Sequence, residues 1–368
     1  MRNNKYSYFG RIVALVLIFI SIFALPANAE EKSDPADINV NEIVMGHMAD
    51  AYEWHIFSYG NVHVTIPLPV IVYSSESGWN VFLSNKLNDE KMYQGFKIAP
   101  KDSELAGKVV EQVGGVWQRP TLDLSLTKVA FALIINSFIF ALIILGVARW
   151  YKRHDEKSPA PKGFVGFMEM FIMMINDEVI KACVGPNYRK FAPYLLTVFF
   201  FIFVNNIMGL VPIFPGGVGV TGNIAITLIL ALCTFVAVNF WATKAYWKEV
   251  FWPDVPMFLK LPIPILPLIE VMSVFTKPFA LMIRLFANMM AGHMGILIFV
   301  SLIFISAKMG AAVQGGLTVV SVLFTLFMNL LELLVAFIQA YVFTLLSAIF
   351  IGLAQESHET SASNEEEL

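Results

Sequence analysis

The stretch R-L-F-A-N-M-M-A-G-H, Arg284 to His293, sits inside a strongly apolar run between Pro278 and Lys308 in which Arg284 is the sole permanently charged residue. A guanidinium near the centre of a bilayer costs ~2.5 to 3.5 kcal/mol on insertion scales, and it cannot lose its proton to escape that cost. The run therefore reads as a membrane helix whose cation is received by a partner or a polar cavity. Its default role is functional.

Composition places the rest of the chain in the same setting. Of 368 residues, 57% are hydrophobic and only 14% charged, with a mean hydropathy of +0.67, whereas soluble domains average about 25% charged residues. A net charge of -3 and the lack of a basic run exclude a nucleic-acid partner. Cys183 and Cys233 lie far apart within or beside apolar segments, so neither a disulfide framework nor a thiolate metal site is indicated.

Residues 1–29 carry Arg2, Lys5 and Arg11, then the apolar stretch Ile12 to Leu25 and the small-residue site Ala27-Asn28-Ala29. They read as a signal peptide, too short to span a bilayer comfortably as an anchor. Residues 30–125 are mixed in charge and broken by Gly and Pro. Runs such as Val62 to Ile66 and Val70 to Tyr73 predict a small β-rich extramembrane domain. His47, His55 and His63 recur there at eight-residue steps, a period that puts no ligand set on one helical turn. They read as surface or packing histidines, and no metal or cofactor site is expected.

Residues 126–355 read as an all-α polytopic membrane domain of five transmembrane helices plus one interfacial amphipathic helix. Thr127 to Val147 is followed by the basic stop Arg149-Trp150-Tyr151-Lys152-Arg153, which faces the cytoplasm. Phe164 to Cys183, with Glu169, Asn176, Asp177, Glu178 and Lys181 among Met and Phe, predicts the interfacial helix. Phe191 to Val211 crosses back, Pro212 to Gly222 forms an outer loop, and Asn223 to Thr243 returns to a loop holding Lys244, Lys248 and Lys260. The last two segments, Leu261 to Ser306 and Gly316 to Gly352, exceed what an upright span needs against a ~30 Å hydrocarbon core, so both are expected to be strongly tilted. The acidic tail 356–368 ends inside.

The polar residues on those last two helices form stripes. At 100° per residue Lys277, Arg284, Asn288 and Ala291 share one face. Glu332 is the one charge between Lys308 and Glu356, with Asn329 three residues before it and Gln339 seven after it on the same face. His293 and Glu332, with reference pKa values of about 6.5 and 4.3, could relay protons. Arg284 suits another task, either as a barrier to cations or as a counter-charge that makes a passing carboxylic acid release its proton. Asn205, Asn206 and Asn329 read equally well as interhelical hydrogen-bond formers, Lys277 as a side chain reaching the cytoplasmic interface, and Gly292 as a close-packing residue. A secondary transporter or ion channel using a buried Arg for an anionic substrate is the alternative, but the internal repeats and paired broken helices of transporters are missing. A phosphate loop G-x-x-x-x-G-K-[ST] is missing too, so the chain itself performs no nucleotide chemistry.

Several ordered motifs carry a family likeness: G-P-N-Y-R-K-F-A-P-Y (Gly185 to Tyr194), F-V-N-N-I-M-G-L-V-P (Phe203 to Pro212), I-E-V-M-S-V-F-T-K-P (Ile269 to Pro278), the Arg284 string, and L-E-L-L-V-A-F-I-Q-A-Y (Leu331 to Tyr341). Across roughly Leu122 to Gln355 the chain resembles subunit a of the rotary F-type ATP synthase. The resemblance implies that Arg284 is the essential arginine facing a ring of c subunits and separating two half-channels. It puts Asn288, His293, Glu332 and Gln339 along the periplasmic half-channel, Glu270 in the cytoplasmic one, and Asn223 at a position where some members carry a lining Asp. It further implies a subunit b peripheral stalk and the remaining synthase subunits as partners, and a place in the cell inner membrane with a periplasmic N-terminus and a cytoplasmic C-terminus. Well-known members carry Glu where this chain has His293 and His where it has Glu332, and the exchange suggests that the two positions act as a coupled pair.

Overall fold

Short antiparallel strands precede a long helical region. In the computed structural model the described residues are 48–59, 62–87, 92–100, 103, 105–154, 159–212, 214–252, 265–306 and 311–355, all within one compact unit, Val40–Leu368. The expected signal peptide, His47, Lys260, Lys308 and the acidic tail lie outside them.

Strands β1 (Glu53–Tyr59) and β2 (Val62–Pro67) form a hairpin whose register shifts between His55 and Phe57. β3 (Pro69–Ser74) lies between β4 (Gly78–Leu83) and, further on, β8 (Leu122–Asp123), while β5 (Phe96–Ile98), β6 (Val109–Val113) and β7 (Val116–Gln118) make a third sheet. The predicted β-rich region is thus present. Val70, Val72 and Phe82 point into a core shared with Tyr52, Leu87, Phe96 and Val109. The opposite face of the β4-β3-β8 sheet is apolar as well. Register places Leu122, Tyr73 and Trp79 in one row and Ile71 with Val81 in the next, where the Leu124 amide donates to the Ile71 carbonyl at 2.9 Å. Trp79 is 59% exposed and Val81 68%, although an antiparallel sheet facing water normally alternates apolar with polar.

The helical region begins with α1 (Lys128–Lys152), where Thr127 caps the first turn by accepting from the Ala130 amide, and Arg149 and Lys152 complement the dipole of the last turn. Over Phe164 to Cys183, α2 (Phe164–Met174) passes through a π-helical turn (Ile175–Ile180) into α3 (Lys181–Val184). Ile175, Val179 and Ile180 are buried, whereas Asp177, Glu178 and Lys181 are exposed. Gly185 ends α3 with φ 72°, a left-handed conformation that glycine adopts without strain, and Pro186 follows it. Then come α4 (Tyr188–Leu210), α5 (Ile224–Phe240), α6 (Lys244–Phe251), α7 (Ile265–Ser306) and α8 (Ala311–Gln355).

Four helical stretches among the described residues are long and apolar enough to cross a membrane, with α2 to α4 counted as one. The number is five if α5 and α6, which meet at 104°, form one broken span. The chain is a multi-pass membrane protein. α7 has 42 residues and α8 has 45; at 1.5 Å per residue each reaches roughly 63 to 68 Å, about twice a bilayer's hydrocarbon thickness. α8 packs along α7 and α4. The rings of Phe171, Phe199, Phe203 and Phe337 interlock α2, α4 and α8 with centroids 5.7 to 6.4 Å apart, contacts whose offset and edge-on geometry suits aromatic quadrupoles. Gly352 is required where α8 meets α3, because a Cβ there would lie 2.0 Å from the Cys183 carbonyl oxygen.

Candidate functional site

Arg284 lies on an exposed stripe of α7 together with Ala280, Ala287, Asn288 and Ala291. Among the described residues no carboxylate pairs with it. The cation therefore projects from an outer surface of this chain between small side chains, which lets another helix come close. Lys277, seven residues earlier, is half-buried, and its Nζ lies 5.5 Å from the centroid of the Phe350 ring.

On the side of α7 that meets α8, His293 Nδ1 is 2.5 Å from Glu332 Oε1. These residues are 39 apart in sequence, and the helical hairpin brings them together. Glu332 is only 4% exposed, and its Oε2 is buried without a partner. The hydroxyls of Ser321 and Thr325 are orphaned in the same way. At 100° per residue Ser321, Thr325, Asn329, Glu332 and Gln339 fall within one arc of α8, so a polar line that includes the two orphaned hydroxyls leads toward the carboxylate. Buried polar groups without protein partners are sites for ordered water.

Glycines shape the space around this pair. A Cβ on Gly292 would lie 2.9 Å from Glu332 Cδ, one on Gly219 3.2 Å from His293 Nε2, and one on Gly209 3.5 Å from His293 Cε1. Gly292 is thus a close-packing residue, but what it packs against is the carboxylate. Gly209 and Gly219 were not foreseen as site residues. Gly219 lay in a glycine-rich loop, which sequence alone reads as a turn, and Gly209 lay inside a membrane helix as one residue of the F-V-N-N-I-M-G-L-V-P motif.

The remaining expected residues occupy distinct places. Gln339 is buried on the Glu332 face of α8. Asn223 caps α5, accepting from the Ala225 amide at 2.9 Å. Glu270 is half-buried near the start of α7, the helix against which α6 packs. A small cavity of about 20 Å³ lies between them, lined in part by Thr234, Asn239, Tyr246 and Lys277, and Asn239 Oδ1 is buried there without a partner. Asn205 and Asn206 join helices: Asn136 Nδ2 donates to Asn205 Oδ1 at 3.1 Å, Thr221 donates to Asn206 Oδ1 at 2.6 Å, and Asn206 donates to the Ala336 carbonyl at 3.4 Å. His55 and His63 lie on the paired strands β1 and β2.

Residues 134–352 match the family model described as ATP synthase A chain. The chain belongs to the ATP synthase subunit a family. ATP synthase subunit a of Chlorobium phaeobacteroides is 36% identical over 99% of this chain and 97% of its own length. That of Chloroherpeton thalassium is 42% identical over 68% of this chain and 72% of its own, and a protein named ATP synthase subunit a 2 from Chlorobaculum tepidum is 43% identical over 64% and 66%. Members of the ATP synthase subunit a family are ion-translocating membrane components, which places ATP synthesis and proton transport in the membrane as this chain's setting. Residues 43–119 match a second model, described as a domain of unknown function (DUF8433), which coincides with most of the β-rich region.

Proposed function

We propose that this chain is the stator subunit that passes protons to and from a ring of c subunits in an F-type ATP synthase, coupling their flow to rotation. The observation that carries the reading is Arg284: a permanent cation on an outer face of a membrane helix, flanked by small residues, with no acid beside it among the described residues. An acid brought to it by another polypeptide would be held ionised by the guanidinium and would release its proton. Asn288, one turn further along the same face, would border the ring.

The inlet in this reading is the His293–Glu332 pair. A carboxylate bonded at one oxygen to imidazole and open at the other to a polar seam can accept a proton from one side and give it to the other. Gln339 continues the polar face of α8, and Asn223 holds the start of α5 beside the inlet. On the cytoplasmic side, Glu270 and the small cavity with Asn239, Tyr246 and Lys277 would line the outlet. The fold reads as five crossings, with Phe164–Val184 lying along the interface. The β-rich region is then periplasmic, the C-terminus cytoplasmic, and subunit b and the rest of the synthase complete the assembly in the inner membrane. ATP chemistry belongs to those partners.

Arg284→Ala in the assembled complex should abolish ATP-driven proton pumping into inverted membrane vesicles, followed by quenching of a pH-sensitive dye. Unimpaired pumping in that variant would be fatal to the reading.

A further inference from the structure

A cavity of about 50 Å³ lies against the edge of His293 that faces away from Glu332, and its lining includes Met48, Lys128, Val218, Gly219, Gly222 and His293. That is room for a few water molecules. Met48, which lines it, opens the strap Met48–Trp54 that leads into the β-rich region. The strap is fastened to the top of α1. The Lys128 amide donates to the Ala51 carbonyl at 2.8 Å, and the Val129 amide donates to Asp50 Oδ1 at 3.2 Å. Trp54, 5% exposed, is driven into the membrane half among Val129, Ala132, Val218 and Val220, with its ring 5.2 Å from that of Phe214 and 6.0 Å from that of Phe131.

His293 therefore bridges two compartments of the protein. Its Nδ1 meets the buried carboxylate, and its opposite edge meets Gly219 and the space beyond. We propose that the strap Met48–Trp54 is the outer wall of the proton inlet, so that the β-rich region is a working part of the ion path and controls what reaches His293. The proposal rests on the reading that protons pass His293. A Cβ at position 219 would come within 3.2 Å of His293 Nε2 and crowd the edge of the ring that faces the cavity.

The test uses the complete synthase in proteoliposomes and reads ATP-driven pumping, with ATP hydrolysis and subunit content as checks on assembly. Met48→Arg sets bulk and fixed charge in the cavity and should slow pumping about tenfold or more, as a charged constriction does in a pore. Val116→Arg, on the exposed β7 strand of the same region, should leave pumping unchanged. A second arm avoids folding with the charge in place. With Cys183 and Cys233 replaced by Ser, Met48→Cys is labelled after assembly with a cationic methanethiosulfonate, and the slowing should reverse on adding a thiol reductant. Normal pumping by Met48→Arg or by fully labelled Met48→Cys, or equal slowing by Val116→Arg, overturns the proposal. If Arg284→Ala still loses pumping in the same preparation, the failure concerns the strap alone; if Arg284→Ala pumps normally, the underlying reading has failed.

Discussion

At the scale of single residues, two titratable side chains 39 positions apart meet in a hydrogen bond within the apolar hairpin of α7 and α8. If His293 and Glu332 work as one proton-exchanging unit, either single exchange, His293→Glu or Glu332→His, should slow pumping by about a hundredfold, the usual loss when a positioned acid or base is removed. The double exchange should recover much of it, and a double variant that pumps no better than either single one would contradict the pairing. Gly292→Val should act on the same bond, since its added carbons fall within 2.9 Å of Glu332 Cδ; pumping should drop while subunit content stays normal. The identities of this pair were legible in the sequence because each is a titratable group in an apolar run. Their contact was only suggested by the exchange relative to other family members. Ser321 and Thr325 could have been found from the stripe they share with Glu332, but a hydroxyl in a helix usually satisfies itself on the carbonyl four residues back, and nothing in the sequence shows that these two do not.

At the scale of elements, helix existence was legible and helix ends were less so. Apolar runs announced α1, α4, α5, α7 and α8, yet α8 begins five residues before Gly316, and α1 extends through the basic stop to Lys152, because basic side chains can reach outward while the backbone stays helical. The strand pairings were not legible, since period-two patterns indicate strands and not partners. Packing between elements gives a firm test at Gly352: Gly352→Ala puts a methyl 2.0 Å from a backbone oxygen, which no rotamer relieves. A loss of about 1 to 3 kcal/mol is expected, seen as a lower melting temperature of the purified chain, and an unchanged melting point would mean that α3 can move aside. Among the strands, Tyr52 donates to Asp123 Oδ2 at 2.9 Å, and burial, followed by the negative charge of Asp123, raises its phenol above the ordinary value of about 10. The folded state thus holds this proton more tightly than the unfolded chain does. Its contribution is full below pH ~10 and is lost as pH rises through the folded-state value. Tyr52→Phe should weaken the fold by about 1 kcal/mol at neutral pH through the lost hydrogen bond and should flatten the alkaline limb of the stability curve, measured by the near-ultraviolet signal of Trp54.

At the scale of the whole molecule, the β-rich and helical regions are joined by an aromatic plug as well as by the peptide chain. Trp54→Ala should cost about 3 to 5 kcal/mol and speed hydrogen exchange at the Lys128 and Val129 amides together, because their bonds to the Ala51 carbonyl and the Asp50 carboxylate form one junction. Unchanged exchange at both amides would show that the two regions are fastened elsewhere. That junction was invisible in the sequence, where Trp54 is one aromatic in a mixed segment and the β-rich region reads as an independent appendage. The β4-β3-β8 sheet has its own practical consequence. Trp79, Val81, Tyr73 and Leu122 make the outside of that sheet as greasy as its inside. Anyone expressing residues 48–125 as a water-soluble fragment should expect it to self-associate, and Val81→Lys with Trp79→Glu is the first remedy to try.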